Sequence, residues 1–275
     1  MAVKSFVSIL IINYNNAKFL NRSILSCLNQ TYKNIEILVF DDKSVDGSKN
    51  LLKKYDKNKK IKYFINKSNK LNVSALDAKN SYYNLINKCK GEIIFLLDSD
   101  DYFKKNKVFK IIKKFNSDKK INFIQDMPVI KLNKHKKVLK KNKNSPLSFW
   151  PYLAPESCIS FRKKFIKKFM KANRLLENKY PDVWLGFRLG IFSYYIENSF
   201  HSFNENLTIY KSYGESKKYP LFGKNWFKRR LCSYKYLNSV SLGKYSFVFN
   251  LDYIITKIIF VILKNFSFNE KKNSI

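Results

Sequence analysis

Short, uninterrupted apolar runs alternate with segments of helical periodicity over the first 125 residues of the chain. The runs are Val7–Ile12, Ile35–Phe40, Ile61–Ile65 and Ile93–Leu97. A strand that is apolar at every position is typical of a strand buried on both faces. The segments between and after the runs predict helices around Leu20–Leu28, Leu51–Tyr55, Ser74–Cys89 and Val108–Phe115. Repeated strand–helix units predict an α/β fold with a mostly parallel central sheet flanked by helices and joined by right-handed crossovers.

The second half of the chain has a weaker pattern. Ser157–Phe161 is predicted to be a strand and Arg162–Ala172 a helix, whereas Ile196–Tyr210 is irregular with strand character. Pro181 is expected to start a further helix, because proline is tolerated in the first helical turn. The basic, weakly apolar stretch Lys131–Asn144 is predicted to be a mobile loop.

The end of the sequence is basic and aromatic. Residues 247–268 are rich in apolar side chains but include Asp252, Lys257 and Lys264, and the chain has no run of 18 apolar residues. No transmembrane helix is therefore expected. Two interpretations of residues 247–268 remain open at this point. One is an amphipathic helix at a membrane interface, and the other is a helix that packs on the core.

The length of the chain and its cysteine content limit the possible domain organisation and the state of the thiols. A chain of 275 residues can form one large domain with an appendage, and we predict a domain over residues 1–218 and a C-terminal helical extension over 219–275. The segment Met1–Phe6 lacks the features of a signal peptide. The four cysteines are widely spaced without a CxxC pair. These features predict reduced thiols, no zinc site and a cytoplasmic protein.

The charge balance is strongly positive. The chain carries 54 Lys+Arg against 20 Asp+Glu, for a net charge of +34, but only six of the 54 are arginines. The accompanying abundance of Lys, Asn, Ile, Phe and Tyr is as typical of an A+T-rich coding sequence as of a selected binding face, so no specific nucleic-acid partner is predicted. The surface should nevertheless attract anionic lipid head groups and anionic substrates such as nucleotide sugars.

Three carboxylates follow the fourth apolar run, at Asp98, Asp100 and Asp101. Carboxylates repel one another, and their oxygens with this spacing suit Mg²⁺ or Mn²⁺ holding a substrate phosphate. The alternative is a solvated acidic turn that ends a strand. Two other polar groups, 13–15 and 41–42, also follow predicted strands. Ligands of open parallel sheets bind beyond the carboxyl ends of the strands, so these groups should converge in one cleft.

Four motifs in order resemble those of the family 2 glycosyltransferases. They are Val7-Ser8-Ile9-Leu10-Ile11-Ile12-Asn13-Tyr14-Asn15, Leu28-Asn29-Gln30-Thr31-Tyr32, Asp41-Asp42-Lys43-Ser44-Val45-Asp46-Gly47-Ser48 and Leu97-Asp98-Ser99-Asp100-Asp101. The resemblance covers roughly residues 5–215. It implies the nucleotide-diphospho-sugar-binding fold called GT-A, and sugar transfer with inversion at the anomeric carbon.

The resemblance also implies roles for the residues after the first two strands. Tyr14 and Asn15 would bind the donor nucleotide, with the Tyr14 ring against a pyrimidine, although a core aromatic is the alternative for Tyr14. Asp42 would accept the uracil imide N–H, whereas Asp41 is expected to be structural. The alternative is that both aspartates cap the following turn, in which Gly47 serves the backbone geometry.

Asp98-Ser99-Asp100 matches the DxD motif of the family. By that match Asp100 coordinates Mn²⁺ or Mg²⁺, and Asp98 contacts the ribose or the metal shell. Asp101 would orient the loop or touch the acceptor. The family's Arg-Asn pair, which meets the diphosphate, has only Lys79 as a counterpart here, at a shifted distance.

The general base is expected far along the chain, at the head of a helix. Asp182 lies 182 − 100 = 82 residues after Asp100 and is assigned this role; the alternative is a residue that only favours the helix start. The usual Glu before it is Pro181 here, and Tyr213 stands where the family has a histidine. Arg188 is expected to pack rather than to line the acceptor site.

The predicted function is therefore that of a metal-dependent hexosyltransferase. It would use a nucleoside-diphosphate sugar, expected to be a UDP-sugar, and a hydroxyl of a bacterial surface polysaccharide such as lipopolysaccharide or capsule, or of a lipid-linked oligosaccharide. Peripheral attachment to the inner face of the cytoplasmic membrane is expected. The alternatives are a catalytically impaired relative and a basic nucleic-acid-binding protein. A nucleotidyltransferase is disfavoured, because the segment Asn13–Asn16 has no glycine.

Overall fold

The computed structural model describes the backbone of residues 5–67, 74–132, 135–138, 148–211 and 222–272, and the side chains of these except 132, 135–138 and 266–272. The strands in these ranges are β1 (Val7–Asn13), β2 (Ile35–Asp41), β3 (Ile61–Ile65), β4 (Ile93–Asp98), β5 (Tyr102–Phe103), β6 (Phe123–Leu132), β7 (His135–Val138), β8 (Ile159–Arg162) and β9 (Phe200–Lys211). The α-helices are α1 (Ala17–Leu28), α2 (Ser48–Lys53), α3 (Ser74–Lys88), α4 (Lys107–Ser117), α5 (Lys163–Asn173), α6 (Leu185–Ile191), α7 (Lys224–Val240) and α8 (Leu251–Lys272).

One sheet runs through the molecule in the order β3-β2-β1-β4-β8-β6-β9-β5, with β7 paired to β6. The first four strands are parallel, as the alternating strand–helix pattern predicts. Beyond β4 the sheet is mixed. β8 is antiparallel to both β4 and β6, whereas β6 and β9 are parallel and are interrupted by irregular register around Met127.

Successive residues of the parallel strands enter two different hydrophobic clusters, because side chains alternate between the faces of a sheet. Leu10, Leu38 and Leu96 belong to the cluster that also contains core residues of α3, α5, α6 and α7. Their neighbours in sequence face α1, α2 and α4 on the other side of the sheet. Burial on both faces explains why the strands are apolar at most positions, with Ser8, Glu36 and Lys62 as exceptions inside the strands.

The prediction of a loop over Lys131–Asn144 is wrong for the part that the structure describes. β6 continues to Leu132, and β7 pairs with it antiparallel, placing His135 opposite Leu132. Among the described residues β7 pairs with β6 alone, and lysine is common in strands at a sheet edge. Residues 133–134 and 139–147 lie outside the described part.

The prediction that Pro181 starts a helix is also wrong. α6 begins at Leu185, and Trp184 before it has extended backbone angles of φ −62° and ψ 153°. The preceding segment forms a turn, in which the Val183 amide donates to the Tyr180 carbonyl at 3.1 Å. The buried Arg188 guanidinium donates to the carbonyls of Tyr180 and Val183 and so holds this turn in place.

The C-terminal helices pack on the rest of the chain. α7 contributes Tyr234, Tyr236, Leu237 and Val240 to the same cluster as the parallel strands. Of the two interpretations of residues 247–268, packing on the protein therefore applies to the inner face of α8, which lies against α7. A boundary between 1–218 and 219–275 stays a prediction. Within the described ranges, no helix meets the length and hydropathy needed to cross a bilayer.

Candidate active site

The register of the parallel strands brings three polar strand ends together. Asn13 at the end of β1 is opposite Asp41 at the end of β2, and Ile12 is opposite Asp98 at the end of β4. β1 lies between the other two strands, so these positions share one edge of the sheet. The predicted convergence of the polar groups is thus present in the fold.

Asp41 holds the turn that follows β2. Its Oδ1 accepts a hydrogen bond from Asn13 Nδ2 at 2.6 Å and another from Ser44 Oγ at 2.7 Å, while the Ser44 amide donates to Oδ2 at 3.0 Å. The side chain is 1 % exposed. All of these contacts stay within the protein, in agreement with the structural role expected for Asp41.

Asn15 and Gly47 shape the same turn. Asn15 has a φ of 49°, its amide donates to Ser44 Oγ at 2.8 Å, and its Oδ1 accepts from the Val45 amide at 2.9 Å. Gly47 has a φ of 89°, a left-handed conformation that L side chains rarely adopt, which agrees with its expected role in turn geometry. A nucleotide contact by Asn15 stays a prediction.

Tyr14 and Asp42 lie beside this turn. Tyr14 is 50 % exposed, so the alternative of a core aromatic is wrong, and its ring is available to a ligand. Asp42 is 7 % exposed, and its Oδ1 accepts from Asn66 Nδ2 at 2.6 Å. Asn66 follows β3 and therefore holds the Asp42 carboxylate from the neighbouring strand end.

Asp98 is fixed by α3 and by the segment before β8. Its Oδ1 accepts from the Tyr82 hydroxyl at 2.8 Å, and its amide donates to Ser157 Oγ at 3.0 Å. Tyr82 is fully buried in α3. A carboxylate held at one oxygen in this way keeps the other oxygen for a further partner.

Asp100 and Asp101 differ in their surroundings. Arg22 Nη2 donates to the Asp100 carbonyl at 2.7 Å, and the Asp100 side chain is partly exposed. Asp101 is fully buried, and its Oδ1 accepts from the Lys211 amide at 2.7 Å at the end of β9. Of the two roles considered for Asp101, these contacts favour orienting the loop.

The carboxylates after β4 raise one another's pKa. Burial raises the pKa of Asp98 well above its usual value, and the charges of Glu156, Asp101 and Asp100 add to that increase. Burial and the charge of Asp100 raise the pKa of Asp101 to about 8. Burial also raises the pKa of Asp100, although Lys211 and Arg22 partly oppose it. This edge of the sheet therefore concentrates negative charge that favours a bound cation or proton.

Glu156 is the residue of this cluster that the sequence analysis missed. It begins the 3₁₀ turn Glu156–Cys158 before β8 and is 8 % exposed. Burial raises its pKa to about 6, while the Gly186 amide, which donates to Glu156 Oε1 at 2.7 Å, and Arg229 oppose the shift. In the sequence Glu156 is a lone acidic residue just before a strand, and no motif or spacing marks it as part of the site.

Glu156 and Gly186 connect the acidic cluster to the head of α6. A Cβ atom on residue 186 would lie 2.6 Å from Glu156 Cγ and 2.9 Å from Ile159 Cδ1, so only glycine allows this approach. Asp182 lies four residues before Gly186 in the turn that leads into α6. The fold thus brings the segment that carries the predicted base to the cluster that carries the predicted metal ligands.

Arg188 holds this turn from inside the protein. The guanidinium donates to four backbone carbonyls, those of Leu176, Glu177, Tyr180 and Val183, at distances of 2.6–3.5 Å. The side chain is 1 % exposed and lies over the Tyr236 ring of α7, 5.0 Å from its centroid. Packing, as expected for Arg188, is confirmed by this burial.

Lys79 contacts the same segment before α6 as Arg188 does. Its Nζ donates to the Glu177 carbonyl at 3.1 Å, and the side chain is 2 % exposed. Burial lowers the pKa of its ammonium group. The ammonium group is thus committed to a backbone oxygen, so nothing in these contacts supports the predicted contact with the diphosphate.

Asp182 forms an ion pair with α7. Its Oδ2 lies 3.0 Å from Lys228 Nζ, and its side chain is 25 % exposed. The carboxylate is therefore partly exposed and forms an ion pair with a lysine. Tyr213, which stands where a histidine was expected, lies outside the described residues.

The residues after β4 fit a divalent cation held jointly with a ligand. No group of three or more His, Cys, Asp or Glu in the described part of the chain is arranged to hold a metal ion alone. Mg²⁺ and Mn²⁺ commonly bind through one or two carboxylates together with substrate phosphates. Asp98 and Asp100 are the two carboxylates that suit this arrangement, because both are partly exposed and both have raised pKa values.

Relatives that are named as glycosyltransferases match part of the chain. An uncharacterized glycosyltransferase of Haemophilus influenzae is 37 % identical over 105 residues, which are 38 % of this chain and 40 % of the relative. The GalNAc(5)-diNAcBac-PP-undecaprenol beta-1,3-glucosyltransferase of Campylobacter jejuni is 29 % identical over 111 residues, which are 40 % of this chain and 34 % of the relative. The matched part thus spans less than half of either relative.

The fold is similar to that of a solved enzyme. The structure of S. aureus TarS residues 1–349 in complex with UDP-GlcNAc superimposes with a TM-score of 0.61 and 14 % identity, over 94 % of this chain and 72 % of that 1–349 chain. The likeness confirms the GT-A fold. The model of Glycosyl transferase family 2 matches residues 8–198, which confirms the resemblance carried by the four motifs. The chain therefore belongs to glycosyl transferase family 2.

Proposed function

We propose that the protein is an inverting glycosyltransferase that moves a sugar from a nucleoside-diphosphate donor, a UDP-sugar, to a hydroxyl of a bacterial surface polysaccharide or a lipid-linked oligosaccharide. The observation that carries the proposal is the shared sheet edge that holds Tyr14, Asp42 and the cluster of Asp98, Asp100 and Asp101. An exposed aromatic ring, a buried carboxylate and an acidic cluster whose charge is only partly compensated are the groups that a base, its imide N–H and a metal-bound diphosphate require.

The donor end of the site follows from these contacts. Tyr14 stacks on the pyrimidine, and Asp42, held by Asn66, accepts the imide N–H. Asp98 and Asp100 hold Mn²⁺ or Mg²⁺ on the diphosphate. The cation, when bound, neutralises charge on the departing nucleoside diphosphate as a Lewis acid.

Asp182 acts as the general base. It removes the proton of the acceptor hydroxyl while that oxygen attacks the anomeric carbon from the face opposite the leaving group. The bond from the anomeric carbon to the phosphate oxygen breaks, and its electron pair leaves with the nucleoside diphosphate. The products are a glycoside of inverted configuration, the nucleoside diphosphate and a protonated Asp182.

The acceptor is proposed to be membrane-associated. The name of the Campylobacter relative gives an undecaprenol-linked glycan as its substrate. A chain with a net charge of +34 is attracted to anionic lipid surfaces. We therefore place the protein in the cytoplasm, peripheral at the inner face of the membrane where such acceptors reside.

A nucleotide-release screen tests the proposal. Purified protein is incubated with UDP-, GDP- and dTDP-sugars and with Mn²⁺ or Mg²⁺, and the free nucleotide is measured. Release from one donor, lost in Asp100→Asn and retained in the surface control Asp118→Asn, is the expected result. Asp118 follows α4 and offers the same carboxyl-to-amide change outside the site.

Thermal shifts with UDP and Mn²⁺ on the same samples complete the test. Absence of both nucleotide release and UDP binding would refute the assignments of Tyr14, Asp42 and Asp100 together. UDP binding without release from any donor or transfer to any acceptor would favour the catalytically impaired family member instead.

A further inference from the structure

The outer face of α8 carries a continuous apolar stripe. Its six side chains have exposed fractions between 37 % and 54 %: Leu251, Ile254, Ile255, Ile258, Val261 and Ile262. At the angular spacing of an ideal α-helix they fall within about 120° of the helix circumference. The stripe therefore forms one face and is not a set of scattered surface residues.

The opposite face of α8 is fixed to the protein. Thr256 is 2 % exposed. Asp252 in the first turn pairs with Arg230 of α7 and accepts a hydrogen bond from the Phe149 amide at 3.0 Å. Because these contacts orient the helix, the stripe is directed away from the body of the protein.

This arrangement differs from an ordinary surface helix, whose outer face is polar and whose apolar residues face the core. Large exposed apolar patches mark sites of contact with a protein or a membrane. The exposed side chains of Val248 and Phe249, at 65 % and 94 %, extend the apolar surface to the residues just before α8.

We propose that this stripe docks α8 along the surface of an anionic lipid bilayer. The charge of the protein favours an anionic bilayer as the partner of this stripe. Exposed Lys257 and Lys264 border one edge of the stripe, where they can reach lipid phosphates while the apolar side chains enter the interface. The whole chain carries a charge of +34, so an anionic surface attracts it, whereas two copies of the chain repel each other.

The docking is interfacial. No described helix is suited to crossing a bilayer, so α8 lies on the membrane instead of spanning it. α7 connects α8 to the segment of the candidate base, because Arg230 of α7 pairs with Asp252 of α8 and Lys228 of α7 pairs with Asp182.

Flotation with vesicles tests the proposal without any sugar donor, so its outcome is independent of the proposed transferase activity. The full chain is mixed with phosphatidylcholine vesicles that contain either no anionic lipid or about 30 % phosphatidylglycerol. Flotation with the anionic vesicles is expected. A chain that stays unbound to them would refute the docking.

Two matched variants distinguish membrane binding by the stripe from general electrostatic attraction to the vesicles. Ile258→Glu/Ile262→Glu is expected to weaken binding to the anionic vesicles about tenfold or more. Phe109→Glu/Leu175→Glu changes two exposed apolar residues elsewhere, loses the same two units of charge and should keep most of the binding. Equal losses in the two variants would show that the charge alone is responsible and would overturn the proposal.

Lys257→Glu/Lys264→Glu leaves the apolar stripe intact and gives a second measurement if the isoleucine variant does not fold. It should also weaken binding to the anionic vesicles, by about fivefold or more for each lysine. Unchanged binding in this variant would contradict the proposed surface. Analytical ultracentrifugation without lipid tests the alternative that the stripe binds a second copy of the chain. If the wild type is a dimer and Ile258→Glu/Ile262→Glu is a monomer, the stripe is a dimer interface and the proposal is overturned.

Discussion

The carboxylates after β4 and the carboxylate before α6 are held in opposite ways. Asp98, Asp100 and Asp101 crowd together at a buried strand end, and all three have raised pKa values. Asp182 is partly exposed and has Lys228 3.0 Å away. The first group lacks sufficient positive charge from the protein, whereas the second receives it from α7.

The difference assigns separate tasks to the two regions. A crowded acidic cluster gains most from a cation that arrives with the substrate, so it suits donor binding. A carboxylate that is accessible and paired with a lysine suits proton removal from an acceptor. The variants below break or sharpen this comparison, from the largest expected effect to the smallest.

Replacing each carboxylate by its amide should separate chemistry from donor binding. Asp182→Asn is expected to lower the transfer rate by about 100-fold to 10,000-fold with little change in the KM for the donor, because it removes only the proton acceptor. Asp100→Asn should instead abolish the effect of Mn²⁺ on donor affinity. Steady-state kinetics and thermal shifts with UDP and Mn²⁺ measure the two effects. An equal loss of donor binding in both variants would contradict separate roles for Asp182 and Asp100.

Arg188→Met should destabilise the region before α6 and leave the strand ends intact. It removes a guanidinium that donates to four backbone carbonyls, of which those of Glu177 and Tyr180 keep a second donor, and we expect the free energy of unfolding to fall by about 3 kcal/mol. Urea unfolding measures this loss. Lys79→Met removes one donor from the same segment and should cost about 1 kcal/mol. An Arg188 variant no less stable than the Lys79 variant would show that the turn does not depend on the guanidinium.

Glu156→Gln should change how stability depends on pH. In the folded protein the Glu156 carboxyl has a pKa of about 6, against an ordinary value of 4.5. Between these values the folded state binds more protons than the unfolded state, so the free energy of unfolding falls as the pH rises. The wild type should therefore lose about 2 kcal/mol more than the glutamine variant between about pH 4 and pH 7. Parallel pH profiles of the melting temperature would contradict this.

Lys228→Met should have the smallest effect. The Lys228 side chain is 54 % exposed, and ion pairs at such positions contribute little to stability, here about 0.5 kcal/mol or less. Urea unfolding should hardly distinguish the variant from the wild type. The transfer rate should fall severalfold, because Asp182 loses the cation that orients it. A loss as large as that of Asp182→Asn would instead make Lys228 part of the chemistry.

Some elements were predictable because their signals are local. The apolar runs and helical spacings of the first half predicted β1 to β4 within one residue and the helices between them within three residues. The strand-end position of Asp98 followed from the same pattern, since carboxyl ends of parallel strands meet at one edge. The pairing of β6 with β8 and β9 could not be predicted from the sequence pattern, because these contacts join residues far apart in the chain and produce no periodicity in it.

By itself the sequence determined the parallel sheet, the polar groups at its edge and the family, since each depends on residue types at short spacing. Only the tertiary structure decided that Glu156 joins the acidic cluster, that Arg188 and Lys79 hold the turn before α6, and that Lys228 pairs with Asp182. It also decided that the apolar stripe of α8 faces outward. A buried charge or an exposed apolar face is defined by what surrounds it, and its surroundings come from distant parts of the chain.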